Sequence, residues 1–209
     1  GVQSATGAPG TQQAVAMAMS SRLGVGNSRF HYGGSAGPSD TVYLGVFRRS
    51  ALDRVGGFDE TLLRNQDYEL NWRIRDSGGE VWFEPAMVVT YRPRPSLRAL
   101  ASQYRQYGTW KRVMLKRHPR SLRARQLVAP VMVVGVTGTA AVAAWTEDPR
   151  WLLPAVTYAA AVTVGGLAAG RSAPTVSRIR VPAALAVMHW AWGLGFLFGR
   201  PVPPPVAED

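Results

Sequence analysis

No cysteine occurs in the 209 residues, which excludes a disulfide scaffold, a thiolate metal site and a cysteine nucleophile. Any chemistry must come from oxygen and nitrogen groups. The chain has no initiator Met and opens without a basic segment, an apolar stretch and a small-residue cleavage site, so it reads as the C-terminal piece of something longer. Acid is missing from one whole stretch. From residue 85 to 125 there is no Asp or Glu, yet eleven basic residues fall there (Arg92, Arg94, Arg98, Arg105, Lys111, Arg112, Lys116, Arg117, Arg120, Arg123 and Arg125). That number equals the net charge of +11, so the excess is local. Formal charge of either sign is then absent from 126–146, 151–170 and 181–199.

Each uncharged run has about the 20 residues that carry a helix across a roughly 30 Å apolar layer. Runs so closely spaced leave too little polar chain to cover them as a soluble core, so three membrane helices are expected. Gly135, Gly138, Gly165 and Gly166 dilute their hydropathy but suit close approach of helices in lipid. Arg171, Arg178 and Arg180 lie between the second and third runs, and Glu147, Asp148 and Arg150 between the first and second. The positive-inside tendency therefore puts residues before 126 and the loop near 175 on the cytoplasmic side, with the Pro-rich tail 200–209 outside. His189 in the third run reads as a packed, hydrogen-bonded helix residue rather than part of a proton relay. An Arg-rich block can bind nucleic acid with steep salt dependence. Three apolar runs directly behind it make membrane lipid the expected partner instead.

The front of the chain reads as mixed α/β. Residues 14–22 are rich in Ala and Met and favour helix, and 24–37 carry five Gly with Ser and Asn, which is loop chemistry. Val42, Leu44 and Val46 alternate within 41–47 and suit a strand, and 48–55 is a short helix stopped by Gly56 and Gly57. Asn65 can cap a helix over 66–77, with Leu70 and Ile74 on one face and Gly78 and Gly79 ending it. Residues 80–91 return as strands broken by Pro85. Leu97, Leu100, Tyr104, Tyr107 and Met114 recur at helical spacing with Arg98, Arg105 and Arg112 on other faces, as in a helix at a membrane interface beside anionic lipid. The sequence contains no internal repeat.

Chemistry is expected on the first turn of the 66–77 helix. Asp67 lies at its positive end, where a carboxylate is stabilised as the anion and held in a fixed direction. Glu69 precedes Arg73 by four residues, the favourable order for an ion pair, so Glu69 is the structural acid and Asp67 the free one. His31 and His118 read as surface residues, since neither has a second ligand at metal-binding spacing.

The strings Val55-Gly56-Gly57-Phe58-Asp59-Glu60 and Arg64-Asn65-Gln66-Asp67-Tyr68-Glu69-Leu70, then Arg73 and Gly78-Gly79, resemble the second half of the catalytic domain of family 2 glycosyltransferases. The resemblance is strongest to the bacterial exopolysaccharide enzymes of the succinoglycan-biosynthesis type. It extends through Thr41-Val42-Tyr43, Phe47-Arg48-Arg49, Tyr91-Arg92-Pro93-Arg94 and Gln103-Tyr104-Arg105-Gln106-Tyr107-Gly108-Thr109-Trp110-Lys111, and covers roughly 1–125. It implies a GT-A, Rossmann-like fold in which Asp67 is the general base of an inverting transfer from a nucleotide sugar, and Gln66 stands where relatives have Glu. Acceptor-side roles follow for Gln66, Asp40, Thr41, Gln103, Arg105, Gln106 and Trp110. Gln106 to Trp110 keeps the spacing of the Gln-x-x-Arg-Trp motif of processive members, but Thr109 replaces its Arg, so processivity is not expected.

Relatives neutralise the leaving diphosphate with a divalent metal, Mg or Mn, on an Asp-x-Asp motif. That motif occurs nowhere in these residues, and Tyr91 stands where many relatives have a metal-proximal His, so the metal is expected in the complete enzyme with its ligands elsewhere. The expected organisation is the acceptor-side half of the catalytic domain at 1–96, a basic interfacial region at 97–125 and membrane helices within 126–199. The piece alone is expected to be inactive. The whole protein is expected to be a multi-pass membrane enzyme, its catalytic domain cytoplasmic, with a lipid-linked or polysaccharide acceptor in cell-envelope or exopolysaccharide synthesis. The alternative is a non-catalytic membrane scaffold.

Overall fold

The computed structural model describes residues 1–202. Among them the chain runs β1 (Val2–Ala5), α1 (Thr11–Met19), α2 (Arg22–Val25), β2 (Gly37–Pro38), α3 (Arg49–Val55), α4 (Gln66–Asp76), β3 (Trp82–Phe83), β4 (Val88–Tyr91) and α5 (Leu97–Arg117). Four helices follow: α6 (Val128–Thr146), α7 (Leu153–Ala169), α8 (Thr175–Arg178) and α9 (Val181–Phe198). Strand β1 pairs in parallel with β4, Val2 opposite Val88 and Ala5 opposite Tyr91. Strand β2 pairs antiparallel with β3. Among the described residues the strands form two separate pairs and not the continuous Rossmann-like sheet that the resemblance implies, and helix dominates.

The helices at 128–146, 149–169 and 175–198 are long and apolar enough to cross a membrane. Their outer faces fit that use, because α6 and α7 turn Val131, Val134 and Val164 outward, more than half exposed, in patches that soluble monomers rarely tolerate. Residues 203–209 of the expected Pro-rich tail lie outside the described residues.

One hydrophobic core joins the front of the chain to these helices. Ala14, Val15, Ala18 and Met19 of α1 and Leu100 and Tyr104 of α5 pack with Val162 of α7 and Val181, Ala184, Leu185 and Met188 of α9. Burying side chains of the size of Leu185 or Met188 contributes about 1.5–3 kcal/mol each. Polar ties add direction: Ser177 Oγ accepts from the Gly10 N–H (2.7 Å) and donates to Gln13 Oε1 (2.7 Å). His189 is a bonded helix residue, as expected, its Nε2 donating to the Leu23 carbonyl (2.9 Å) and its Nδ1 accepting from Tyr158 (3.3 Å). Helix α5 lies along α9 with no side chain between Gly108 and Gly195. A Cβ on Gly108 would stand 2.7 Å from the Phe196 nitrogen, and one on Gly195 would stand 2.8 Å from the Arg105 carbonyl carbon. Arg112 donates to the Leu197 carbonyl (2.5 Å) and to that of Gly199, so the C-terminus of α9 is capped from α5.

A second, smaller core of Val42, Leu70, Ile74, Val81 and Phe83 lies under α4. The strand expected over 41–47 does not form. Leu44 adopts a left-handed φ of 48°, which interrupts extended backbone, and of the alternating set Val42 alone is buried. Thr41 is tied to α4 instead, its Oγ1 accepting from Asn71 Nδ2 (3.0 Å). The first helix begins and ends three residues earlier than expected, and the Gly-rich segment after it folds into α2 and a 3₁₀ turn over Arg29–His31. Asn65 heads α4 but does not cap it through its side chain. Its φ is 64° and its Nδ2 donates to the Tyr107 carbonyl (3.2 Å). Helix α4 stops where Gly78 takes φ 82° and the Gly79 N–H returns to the Ile74 carbonyl (2.9 Å).

Candidate active site

A cavity of about 710 Å³ opens where the two cores meet. Its upper wall is the start of α4 and the loop before it (Leu63 to Tyr68) with Thr41, Val42 and Tyr43. The lower wall is apolar, made by Val128 and Ala129 of α6 and Met188 and Trp192 of α9, with His189 among them. Met19 to Gly26 except Ser20 and Ser21, Phe30 and His31 close one side, and Tyr91, Tyr104, Tyr107 and Lys111 another. Most of these are half-buried side chains on rigid elements, and the chamber has one polar and one apolar end.

Asp67 is the carboxylate in this cavity. It sits on the first turn of α4, and among the described residues it makes no salt bridge and no side-chain hydrogen bond. Burial raises its pKa above the ordinary carboxylate value of 3.8, which makes a more basic anion. The nearby Tyr43 hydroxyl is raised as well, chiefly by burial and further by Tyr91 and Asp67. Glu69, one helical step away, is committed elsewhere. It is 1% exposed, receives Arg73 Nε (2.7 Å) and Nη2 (2.8 Å), and meets His118 Nε2 at 2.9 Å. Arg73 in turn donates to the carbonyls of Val55 and Gly57. The division of labour read from spacing, Glu69 structural and Asp67 free, describes these contacts.

Two histidines expected at the surface are only partly exposed. His118 stacks on Trp72, ring centroids 4.2 Å apart, because the Glu69 carboxylate draws its ring inward. His31 faces the cavity beside Phe30, and burial pushes its pKa down to about 4, so it is neutral at pH 7.

The residues expected on the acceptor side divide. Asp67, Gln66 and Thr41 line the cavity together. Asp40 does not, being paired with Arg125 and 4.0 Å from Arg123. Gln103 is buried just behind the wall and holds its tyrosines, Nε2 donating to Tyr107 (2.7 Å) and Tyr91 (3.0 Å). Arg105 and Gln106 are exposed, Gln106 accepting from Arg64 Nε (3.1 Å). Trp110 is buried but outside the cavity lining. Thr109, where the processive motif has Arg, faces α9 and donates to the Arg105 (2.9 Å) and Gly195 (3.2 Å) carbonyls. The motif-spaced pair Gln106 and Trp110 therefore does not face this chamber, since the α5–α9 contact fixes the rotation of the helix.

Sequence reasoning missed Lys111. It lines the cavity at 3% exposure, its Nζ 3.6 Å from the centre of the Tyr68 ring and 3.3 Å from Met114 Sδ. Burial, with Arg125 adding to it, pushes its pKa down to about 7. The signal was present: Lys111 interrupts the apolar series Leu100, Tyr104, Tyr107, Met114 at the position where the next inward residue belongs. Among the described residues no three His, Asp or Glu side chains come together to hold a cation.

The chain is 31% identical over 189 residues to the succinoglycan biosynthesis protein ExoA of Rhizobium meliloti (strain 1021), covering 88% of this chain and 55% of that protein. It is 33% identical over 90 residues to the pre-mycofactocin glycosyltransferase of Mycobacterium tuberculosis (strain ATCC 25618 / H37Rv), covering 43% of this chain and 18% of that one. The chain thus spans about half the length of the first relative and less than a fifth of the second. No solved structure matches it. The family model of glycosyl transferase family 21 matches residues 41–199, a span holding Asp67, Lys111 and all three long apolar helices, and the chain belongs to that family.

Proposed function

We propose that these residues form the acceptor side of a membrane-bound, inverting glycosyltransferase of GT-A type, which moves a sugar from a nucleotide sugar to a hydroxyl of a lipid-linked acceptor in exopolysaccharide or envelope synthesis. The observation that carries this reading is an unpaired carboxylate, Asp67, facing a chamber whose other wall is made by helices long and apolar enough to cross a membrane. Asp67 takes the proton from the acceptor hydroxyl while its oxygen attacks the anomeric carbon. The bond to the diphosphate breaks on the opposite face, and the nucleoside diphosphate leaves with the electron pair. His31 and the Gln103-held tyrosines Tyr91 and Tyr107 line the same chamber and offer hydrogen bonds to orient the acceptor.

The acceptor class is tested by partition. Complete protein incubated with membranes and a radiolabelled nucleotide sugar is expected to put the label into organic-extractable lipid, and label confined to the aqueous phase would sink the lipid-linked reading. Orientation is tested by cysteine labelling, since these 209 residues hold no cysteine of their own. Asp148→Cys is expected to react with an impermeant maleimide on intact cells and Ser172→Cys only after permeabilisation; the reverse pattern would invert the topology.

A further inference from the structure

We propose that Lys111 is a phosphate subsite of the cavity, taking a phosphoryl group of the ligand that occupies it. This rests on the transferase reading and assigns a recognition role to a residue outside the proton transfer. A lysine that is 3% exposed gives up most of its hydration, so it keeps its proton fully only when a counterion meets it, and without one burial brings its pKa down to about 7. Among the described residues no carboxylate lies within salt-bridge distance of it. The acid that acts on it, Asp40, is paired with Arg125 and close to Arg123. The ammonium rests on the face of Tyr68, itself fixed by a hydrogen bond to the Ser121 carbonyl (3.0 Å).

A π-face and a thioether hold an ammonium in place but do not neutralise it. The cavity lining carries Arg22, Arg64 and Lys111 against the acid Asp67, with Arg125 balanced by Asp40, so the excess charge of the lining is positive. A phosphoryl oxygen arriving at Lys111 supplies the missing counterion.

Two ligand parts carry that chemistry, the phosphate of a lipid-linked acceptor and the diphosphate of a nucleotide. Binding to the complete protein in nanodiscs can be measured with each probe separately, polyprenyl phosphate in the bilayer and free uridine diphosphate in solution. Lys111→Met keeps the side-chain length and the apolar contacts, and is expected to weaken binding of one probe by about 10- to 100-fold, with Lys111→Arg recovering most of the loss. Loss in the lipid arm identifies the acceptor phosphate, and loss in the nucleotide arm identifies the donor. If the parent binds polyprenyl phosphate and Lys111→Met binds it and the nucleotide equally well, the subsite is wrong while the lipid-linked reading stands. If the parent binds neither probe, both fall. Melting temperatures at or above the parent's are expected for Lys111→Met, because a buried cation is replaced by an apolar group of similar volume.

Discussion

Asp67→Asn is expected to slow sugar transfer by the complete protein about 10²- to 10⁴-fold, the usual cost of removing a positioned general base. The amide keeps the shape of the side chain and can hydrogen-bond the acceptor, so the loss should fall on kcat and leave KM within a few-fold. Folding should not suffer. The contacts that fix the first turn of α4 run through Glu69, Arg73 and His118, and a carboxyl whose pKa burial has raised contributes nothing to stability as an anion. Equal melting temperatures beside a collapsed kcat would separate catalysis from scaffold. A variant that transfers sugar within a few-fold of the parent would remove Asp67 as the base and return the non-catalytic membrane scaffold to first place.

Gly195→Leu should lower the melting temperature of the detergent-solubilised protein by several degrees. The atoms that its Cβ meets are the backbone of Arg105 on α5, which cannot rotate aside as a side chain could. The two helices must separate along their whole contact, loosening the Thr109 and Arg112 bonds to the end of α9. Overpacking of this kind costs about 1–3 kcal/mol or more, and each kcal/mol shifts the midpoint of a chain this size by about 2–4 °C. Gly138→Ala is the control, since its added methyl meets nothing within 4 Å and alanine favours helix. Intrinsic tryptophan fluorescence reads both, Trp192 lying near the contact. An unchanged melting curve for Gly195→Leu would mean that α5 and α9 are not held backbone to backbone.

The parts of this protein that follow from local pattern were legible before any coordinates. Helices α5, α6, α7 and α9 show themselves by period, by length and by lack of charge. Glu69 and Arg73 show themselves by a four-residue offset. What stayed hidden depends on which elements meet. Alternation at Val42, Leu44 and Val46 looks like a strand, but no local rule shows that residue 44 will be left-handed. Gln106 and Trp110 have the spacing of an acceptor motif, yet spacing does not fix the rotation of α5, which a glycine contact with α9 decides. Basic residues of one block look interchangeable in sequence, although Lys111 is buried and Arg105 is exposed. Proximity of Asp67 to the apolar helices is a tertiary fact, created by α1 and α5 docking on α9.

That docking has a geometric corollary. Because α1 is tied to α8 through Ser177, and α2 to α9 through His189, the height of the Asp67 carboxylate above the apolar floor is set by the fold. Under the membrane reading the enzyme then works as a fixed gauge: an acceptor anchored by its tail offers Asp67 whichever hydroxyl stands at that one elevation.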